Sequence, residues 1–180
     1  TYPLRSAGIT DVSIRRVSGD LTDHYDPSKK VVNLSDSVYG STSVSAVGVA
    51  AHECGHVIQH ARGYVPITIR TALVPIVNFA SRLSMPLILI GLILGYVGLA
   101  KIGVVLFCGV LIFQLVTLPV EFDASARAMR VLDSLGILYG EEIKGARKVL
   151  TAAALTYVAA VVSTALQVFR LVLLINNRRD

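Results

Sequence analysis

The chain has 180 residues, of which 53% are hydrophobic and only 16% charged, against about 25% charged in an ordinary soluble domain. With a mean hydropathy of +0.64, this composition excludes a plain cytosolic domain. The net charge of +5 would suit nucleic acid, but Lys and Arg lie among acidic residues and gather beside the apolar stretches. Lipid head groups are therefore the expected counter-charge, and no nucleic-acid partner is expected.

The chain opens on Thr1 with no signal peptide, which leaves room for an upstream anchor or processing segment. Asp11 to Leu34 reads as strand. Val12-Ser13-Ile14-Arg15-Arg16-Val17 alternates, Ser18-Gly19-Asp20 turns, and a hairpin around Asp26-Pro27 leads into Val31-Val32-Asn33-Leu34. A small β region over 1–42 is thus expected ahead of the first helix. Asn33-Leu34-Ser35 matches the glycosylation sequon but is expected to go unused.

Helix onset is signalled by Ser41-Thr42-Ser43 and its stop by Gly63 with Pro66, giving a helix over 43–63. Ile67 to Ser84 mixes Arg70, Pro75, Asn78 and Arg82 with apolar residues, which suits a segment lying at the membrane interface rather than crossing it. Leu83 to Ala100, Ile102 to Val120 and Val149 to Phe169 carry no Asp, Glu, Lys or Arg, and each approaches the roughly 20 residues a spanning helix needs. Residues 85–119 are read as a transmembrane hairpin with Lys101, flanked by Gly98 and Gly103, at its tip. Soluble character returns over 121–148, with a helix through Ala124 to Leu135 ending at Gly136. A last apolar helix covers 149–175, either crossing the bilayer or lying against the catalytic unit. The expected fold is mainly α: one membrane-embedded unit with a small N-terminal β-hairpin or sheet, a metal-binding helix and a transmembrane helical hairpin.

Chemistry concentrates in His52-Glu53-Cys54-Gly55-His56. Two imidazoles one helical turn apart project from one face and can reach a single zinc ion. Glu53, one position round from His52, falls beside the ion and suits a general base on water that the ion acidifies. The neighbours Val49-Ala50-Ala51 and Val57-Ile58 are uncharged, as in a buried helix, where two His and a Glu without a metal would be costly.

A catalytic zinc site takes three protein ligands and keeps one position open. His60 lies a further turn along, about 6 Å of rise beyond His56, and is assigned to packing or to the cleft rim. A hairpin that returns at Pro119 delivers Glu121 to the side it left, which makes Glu121 a candidate third ligand, with His24 and Asp123 as rivals. Cys54 and Cys108 have neither zinc-cluster nor disulfide spacing and read as free thiols.

Leu21-Thr22-Asp23-His24-Tyr25-Asp26-Pro27, Ala50-Ala51-His52-Glu53-Cys54-Gly55-His56, Pro119-Val120-Glu121-Phe122-Asp123-Ala124-Ser125 and Ala152 to Ala159 together resemble the YugP-like family of bacterial membrane zinc metallopeptidases. That family is similar in layout to the HtpX and CAAX prenyl protease groups. The resemblance covers nearly the whole chain. It implies one zinc ion on His52, His56 and Glu121, Glu53 as base, and hydrolysis of peptide bonds at the surface of a bacterial cell membrane. One position departs from the HtpX-like pattern: an Asp four residues after the ligand Glu is here Ser125, so any bracing of a metal-site side chain must come from a hydroxyl. The family normally has an N-terminal membrane segment as well, which the resemblance would place ahead of Thr1. His24 and Tyr157 are candidate donors to the oxyanion of the reaction.

Arg62, Arg70, Arg82, Arg127, Arg130, Arg147 and Lys148 crowd the side expected to carry the metal site, which the positive-inside tendency places in the cytoplasm. Arg178 and Arg179 would oppose this if the last helix crosses. The expected function is a membrane endopeptidase acting on membrane or membrane-proximal polypeptides. The competing reading is a non-catalytic zinc-binding scaffold, which would not need Glu53. Metal transport would need ionisable residues inside the spans, and Lys101 and Arg170 do not form such a path.

Overall fold

A computed structural model describes residues 2–177. The chain runs through α1 (Tyr2–Ser6), β1 (Ser13–Arg16), β2 (His24–Asp26), β3 (Val31–Leu34), α2 (Val44–Ala61), α3 (Val65–Ile93), α4 (Val97–Ser134) and α5 (Gly140–Asn176). It is mainly helical, with one small sheet. Two compact units divide it: one comprises the chain up to Ile67 together with Val120–Leu155, the other Thr68–Pro119 and the chain from Thr156 on.

In the first unit the three strands lie in the order β1-β3-β2. The hairpin read at Asp26-Pro27 is present: β2 pairs antiparallel with β3, Tyr25 opposite Val32, and the Asp26 carboxylate accepts from the backbone N–H groups of Ser28 and Lys29 to close the turn. β1 pairs parallel with β3, Ile14 opposite Val32. The sheet's inner residues Val32 and Leu34 pack with Leu4, Cys54 and Val57 in one buried cluster. A second cluster joins Ala51 of α2 to Ala128 and Leu132 of α4, Leu138, and Ala146 and Leu150 of α5. The short α1, within the stretch 1–42 that the sequence reading took as a small β region, supplies Leu4 to the first cluster.

Helix α2 begins where the serine run predicts. Of the three candidates it is Ser43 whose hydroxyl accepts from the Ala46 N–H. Gly63, at φ +63°, ends it, with the Gly63 N–H returned to the His60 carbonyl.

Three readings made from the sequence need correction in the helices that follow. The segment 67–84 is not separate from the helix that follows it. It is the first part of α3, whose continuous 29 residues are long and apolar enough to cross a membrane. Pro75 and Pro86 lie inside this helix without breaking it, since proline removes one hydrogen bond and neighbouring structure can absorb the loss where water is absent. The hairpin tip is Leu94-Gly95-Tyr96, not Lys101, because Gly95 takes the left-handed conformation (φ +74°) that reverses the chain, while Lys101 lies in the first turns of α4. Nor does a new helix start at Ala124: α4 runs unbroken through Pro119 and Glu121 to Ser134, and Gly136 follows at φ +58°.

In the second unit α3 and α4 approach closely. A Cβ on Gly103 would lie 2.6 Å from Ile88 Cγ1 and 2.7 Å from the Ser84 carbonyl oxygen, and one on Gly91 would meet Ala100, the small-residue contact that lets membrane helices pack backbone to backbone. Ile88, Ala100 and Val104 form its core with Leu171 and Ile175 of α5. Three helices, α3, α4 and α5, are long and apolar enough to cross a membrane, and no more than 22% of any of their apolar windows is buried within the protein. Phe79, Val105, Leu166 and Phe169 are among the large apolar side chains left outside, a surface that suits lipid and not water. Arg178 and Arg179, which weighed on the topology, lie outside the described residues.

Candidate metal centre

The buried stripe of α2 includes Glu53, His56 and Gln59. His52 is half-buried. The stripe faces α4 at very short range. A Cβ on Gly55 would come within 3.0 Å of the Ala124 carbonyl carbon and 3.1 Å of its Cα, and closer still to its oxygen, so only glycine admits this approach. It is the approach that brings Glu121, on the turn of α4 just before Ala124, to the two imidazoles.

Glu121 is 2% exposed. Its Oε2 lies 3.1 Å from His52 Nε2 and 3.7 Å from His56 Nε2, and one donor atom from each of the three residues falls within 4.8 Å of the others. The imidazoles meet edge to face, with centroids 4.7 Å apart and planes at 85°. Donors about 2.0–2.1 Å from one tetrahedral zinc ion are about 3.3–3.4 Å from each other, and the two measured separations bracket that value. The donor set is also right for a cation, because two imidazole lone pairs and a carboxylate turned towards one another repel unless positive charge lies between them. Among the described residues this is the one group of three or more His, Cys, Asp or Glu with such spacing.

Each imidazole is held from behind. His52 Nδ1 is 3.1 Å from Ser125 Oγ, so the hydroxyl at the position where the HtpX-like pattern has Asp does reach the imidazole of a candidate ligand. His56 Nδ1 is 2.9 Å from Gln59 Oε1. Gln59, fully buried, donates through Nε2 to the Val120 carbonyl and to Asp123 Oδ2, both at 2.8 Å. Asp123 in turn accepts from Arg127 Nε at 2.6 Å, and the Arg127 guanidinium lies 5.6 Å from the centre of the Tyr64 ring.

Electrostatics follow the burial. Burial pushes the Glu53 carboxyl above the ordinary carboxylate range; His56 and His52 pull it back, and Glu121 adds a further push upward. His56 is pulled down by burial, but the hydrogen bond and charge of Glu121 outweigh that, and its net shift is upward. The buried Cys54 thiol, free as its spacing suggested, is pushed up to about 11 by burial, which leaves it an inert packing group.

The structure separates the remaining candidates. His24 is exposed on β2, donating through Nδ1 to the Thr22 carbonyl at 2.8 Å, with Asn33 Nδ2 3.1 Å from its Nε2. It is not in the donor group. Asp123 is taken up by Gln59 and Arg127. The His60 ring packs edge-on to Tyr25 with centroids 5.5 Å apart, in keeping with a packing role. Tyr157 lies on α5. Gln59 was missed in the sequence, although a signal was present: it is three residues after His56, on the same helical face.

Residues 2–176 match the sequence family described as "Putative neutral zinc metallopeptidase". Among curated proteins, the "Putative membrane protease YugP" of Bacillus subtilis (strain 168) is 46% identical over 173 residues, covering 96% of this chain and 77% of that protein. No solved structure matches the chain.

Proposed function

The chain belongs to this neutral zinc metallopeptidase family, and on that premise we propose that it is a membrane-integrated zinc endopeptidase acting on membrane or membrane-proximal polypeptides. The observation that carries the reading is the convergence of His52 Nε2 and His56 Nε2 on Glu121 Oε2 beside the buried Glu53. His52, His56 and Glu121 would hold one zinc ion. Bound there, zinc supplies Lewis-acid polarisation of a peptide carbonyl and acidifies a neighbouring water.

The rest is the work of the chain's own residues. Glu53, one position along the helix from His52, does not join the donor group and is left to handle protons. Its carboxylate takes a proton from the attacking water as the new C–O bond forms at the carbonyl carbon. It returns that proton to the departing amine nitrogen as the C–N bond breaks. A carboxyl whose proton affinity is raised by burial is better suited to hold a proton between the two steps than an exposed one. Ser125 and Gln59 fix the two imidazole planes from behind.

Membrane location supports the substrate class. Glu121 follows directly on the apolar part of α4, a helix long enough to span, so the proposed ligand is carried by a helix that enters lipid. The basic residues Arg62, Arg127, Arg130, Arg147 and Lys148 favour a cytoplasmic face for the site.

The test is Glu53→Gln. The variant is expected to retain one zinc per chain and to cleave an unfolded protein substrate about 10²–10⁴-fold more slowly, the range of a lost general base. A variant that holds zinc and cleaves as fast as the unaltered protein would remove Glu53 from the reaction and revive the scaffold reading.

A further inference from the structure

Gln59 is fully buried and uses both halves of its amide. Its Nε2 carries two hydrogens, and each faces an oxygen that can only accept: the Val120 carbonyl and the Asp123 carboxylate, both 2.8 Å away. The opposite orientation of the amide would set Oε1 against both of those oxygens, placing acceptor against acceptor and losing both bonds. The amide orientation is therefore fixed, and its Oε1 is the atom that meets His56 Nδ1 at 2.9 Å. An oxygen there accepts, so the imidazole proton sits on Nδ1 and the lone pair on Nε2, the nitrogen 3.7 Å from Glu121 Oε2. The same amide grips the backbone of α4 at Val120, the residue next to Glu121. One side chain thus joins the imidazole on α2 to the segment that carries the carboxylate on α4.

From this geometry we propose that Gln59 is a positioning residue for the metal centre. It sets the tautomer and orientation of His56 so that Nε2 is available as a ligand, while its bonds to Val120 and Asp123 hold the amide in that orientation. The proposal rests on the zinc reading given above. Asp123 and Arg127 extend it, since Asp123, clamped by Arg127, is one of the two acceptors that orient the amide.

The two halves of the amide can be removed separately in the detergent-purified full chain. Gln59→Leu loses both; Gln59→Glu keeps an oxygen for His56 Nδ1–H but turns a carboxylate towards the Val120 oxygen and Asp123. Zn2+ affinity is read by competition with a chromophoric chelator, the ligand field by the visible absorption of Co2+, and packing by the thermal melting of metal-free protein. Gln59→Leu is expected to weaken Zn2+ binding about 10–100-fold and to alter the Co2+ bands. Gln59→Glu is expected to bind Zn2+ within about threefold of the unaltered protein while melting lower than it when metal-free. Affinity and melting then rank the variants differently, which a purely structural role for Gln59 would not produce. If Gln59→Leu does not fold, Gln59→Met, closer in shape and equally without an oxygen acceptor, takes its place. The proposal is overturned if the apolar variant binds Zn2+ as tightly as the unaltered protein, or if affinity falls in step with melting in both variants. Unaltered protein that takes up no stoichiometric Zn2+ or Co2+ would overturn the zinc reading itself, an outcome distinct from either.

Discussion

Replacing Gly55 with alanine adds one methyl group at the point where α2 and α4 are closest. The new Cβ would lie 3.0 Å from the Ala124 carbonyl carbon and 3.1 Å from its Cα, whereas carbon atoms in ordinary contact sit about 3.5–4.0 Å apart. Ala124 offers only backbone at this contact, so no side chain can turn aside and the helices must separate by roughly 0.5 Å or more. Glu121 is one turn from Ala124 and His52 and His56 flank Gly55, so most of that displacement is passed to the separations now at 3.1 and 3.7 Å. A zinc site tolerates about 0.2 Å in its ligand distances. Overpacking of this kind costs about 1–3 kcal/mol. Where it falls on the metal-bound state, it corresponds to a weakening of zinc affinity by about 5- to 150-fold. Chelator competition on the detergent-purified variant measures this directly, with circular dichroism as the check that the helices are intact. A helical Gly55→Ala protein with unchanged zinc affinity would refute the argument that this glycine sets the donor spacing.

The raised proton affinity of Glu53 has a signed consequence for the metal-free protein. A carboxyl whose folded pKa lies above its unfolded value contributes stability that is present at low pH and is lost as pH rises through the folded value. Glu53→Gln should therefore stabilise the metal-free chain on the alkaline side of that window and make no difference on the acid side. Melting curves of both proteins across pH test this, and a gap that grows towards acid would contradict it. Ser125→Ala should weaken zinc binding by about tenfold through the lost support of His52, and Ser125→Asp should restore or exceed the original affinity, both read by chelator competition. Gly103→Leu should lower the melting temperature by the equivalent of about 1–3 kcal/mol, because its side chain would have to displace Ile88 and the Ser84 backbone.

Local chemistry was legible in the sequence wherever it depends on spacing along one element. The imidazole pair at i and i+4, the serine cap, the Asp26-Pro27 hairpin and the charge-free helices all belong to this class. Continuity was not legible. Pro75 helped to mark 67–84 as a separate segment and Pro119 read as the end of the hairpin, because proline breaks helices in water, yet α3 and α4 run through them. As a result, α3 was read as two pieces, and the helix carrying Glu121 was divided in two. Cross-element partners were only partly visible. Ser125 could be named as a possible brace because of where it stands relative to Glu121. The bonds from Gln59 to Val120 and Asp123 join residues more than sixty apart, and no local pattern encodes them.

The central claim is that two imidazoles and one carboxylate, from α2 and α4, surround a single zinc ion. X-ray absorption at the zinc edge of the purified protein tests it most directly. The account predicts one zinc per chain with two imidazole nitrogens and oxygen donors as nearest neighbours, no sulfur, and loss of one imidazole contribution in His56→Ala. A sulfur neighbour, or a spectrum unchanged by His56→Ala and Glu121→Ala, would contradict it.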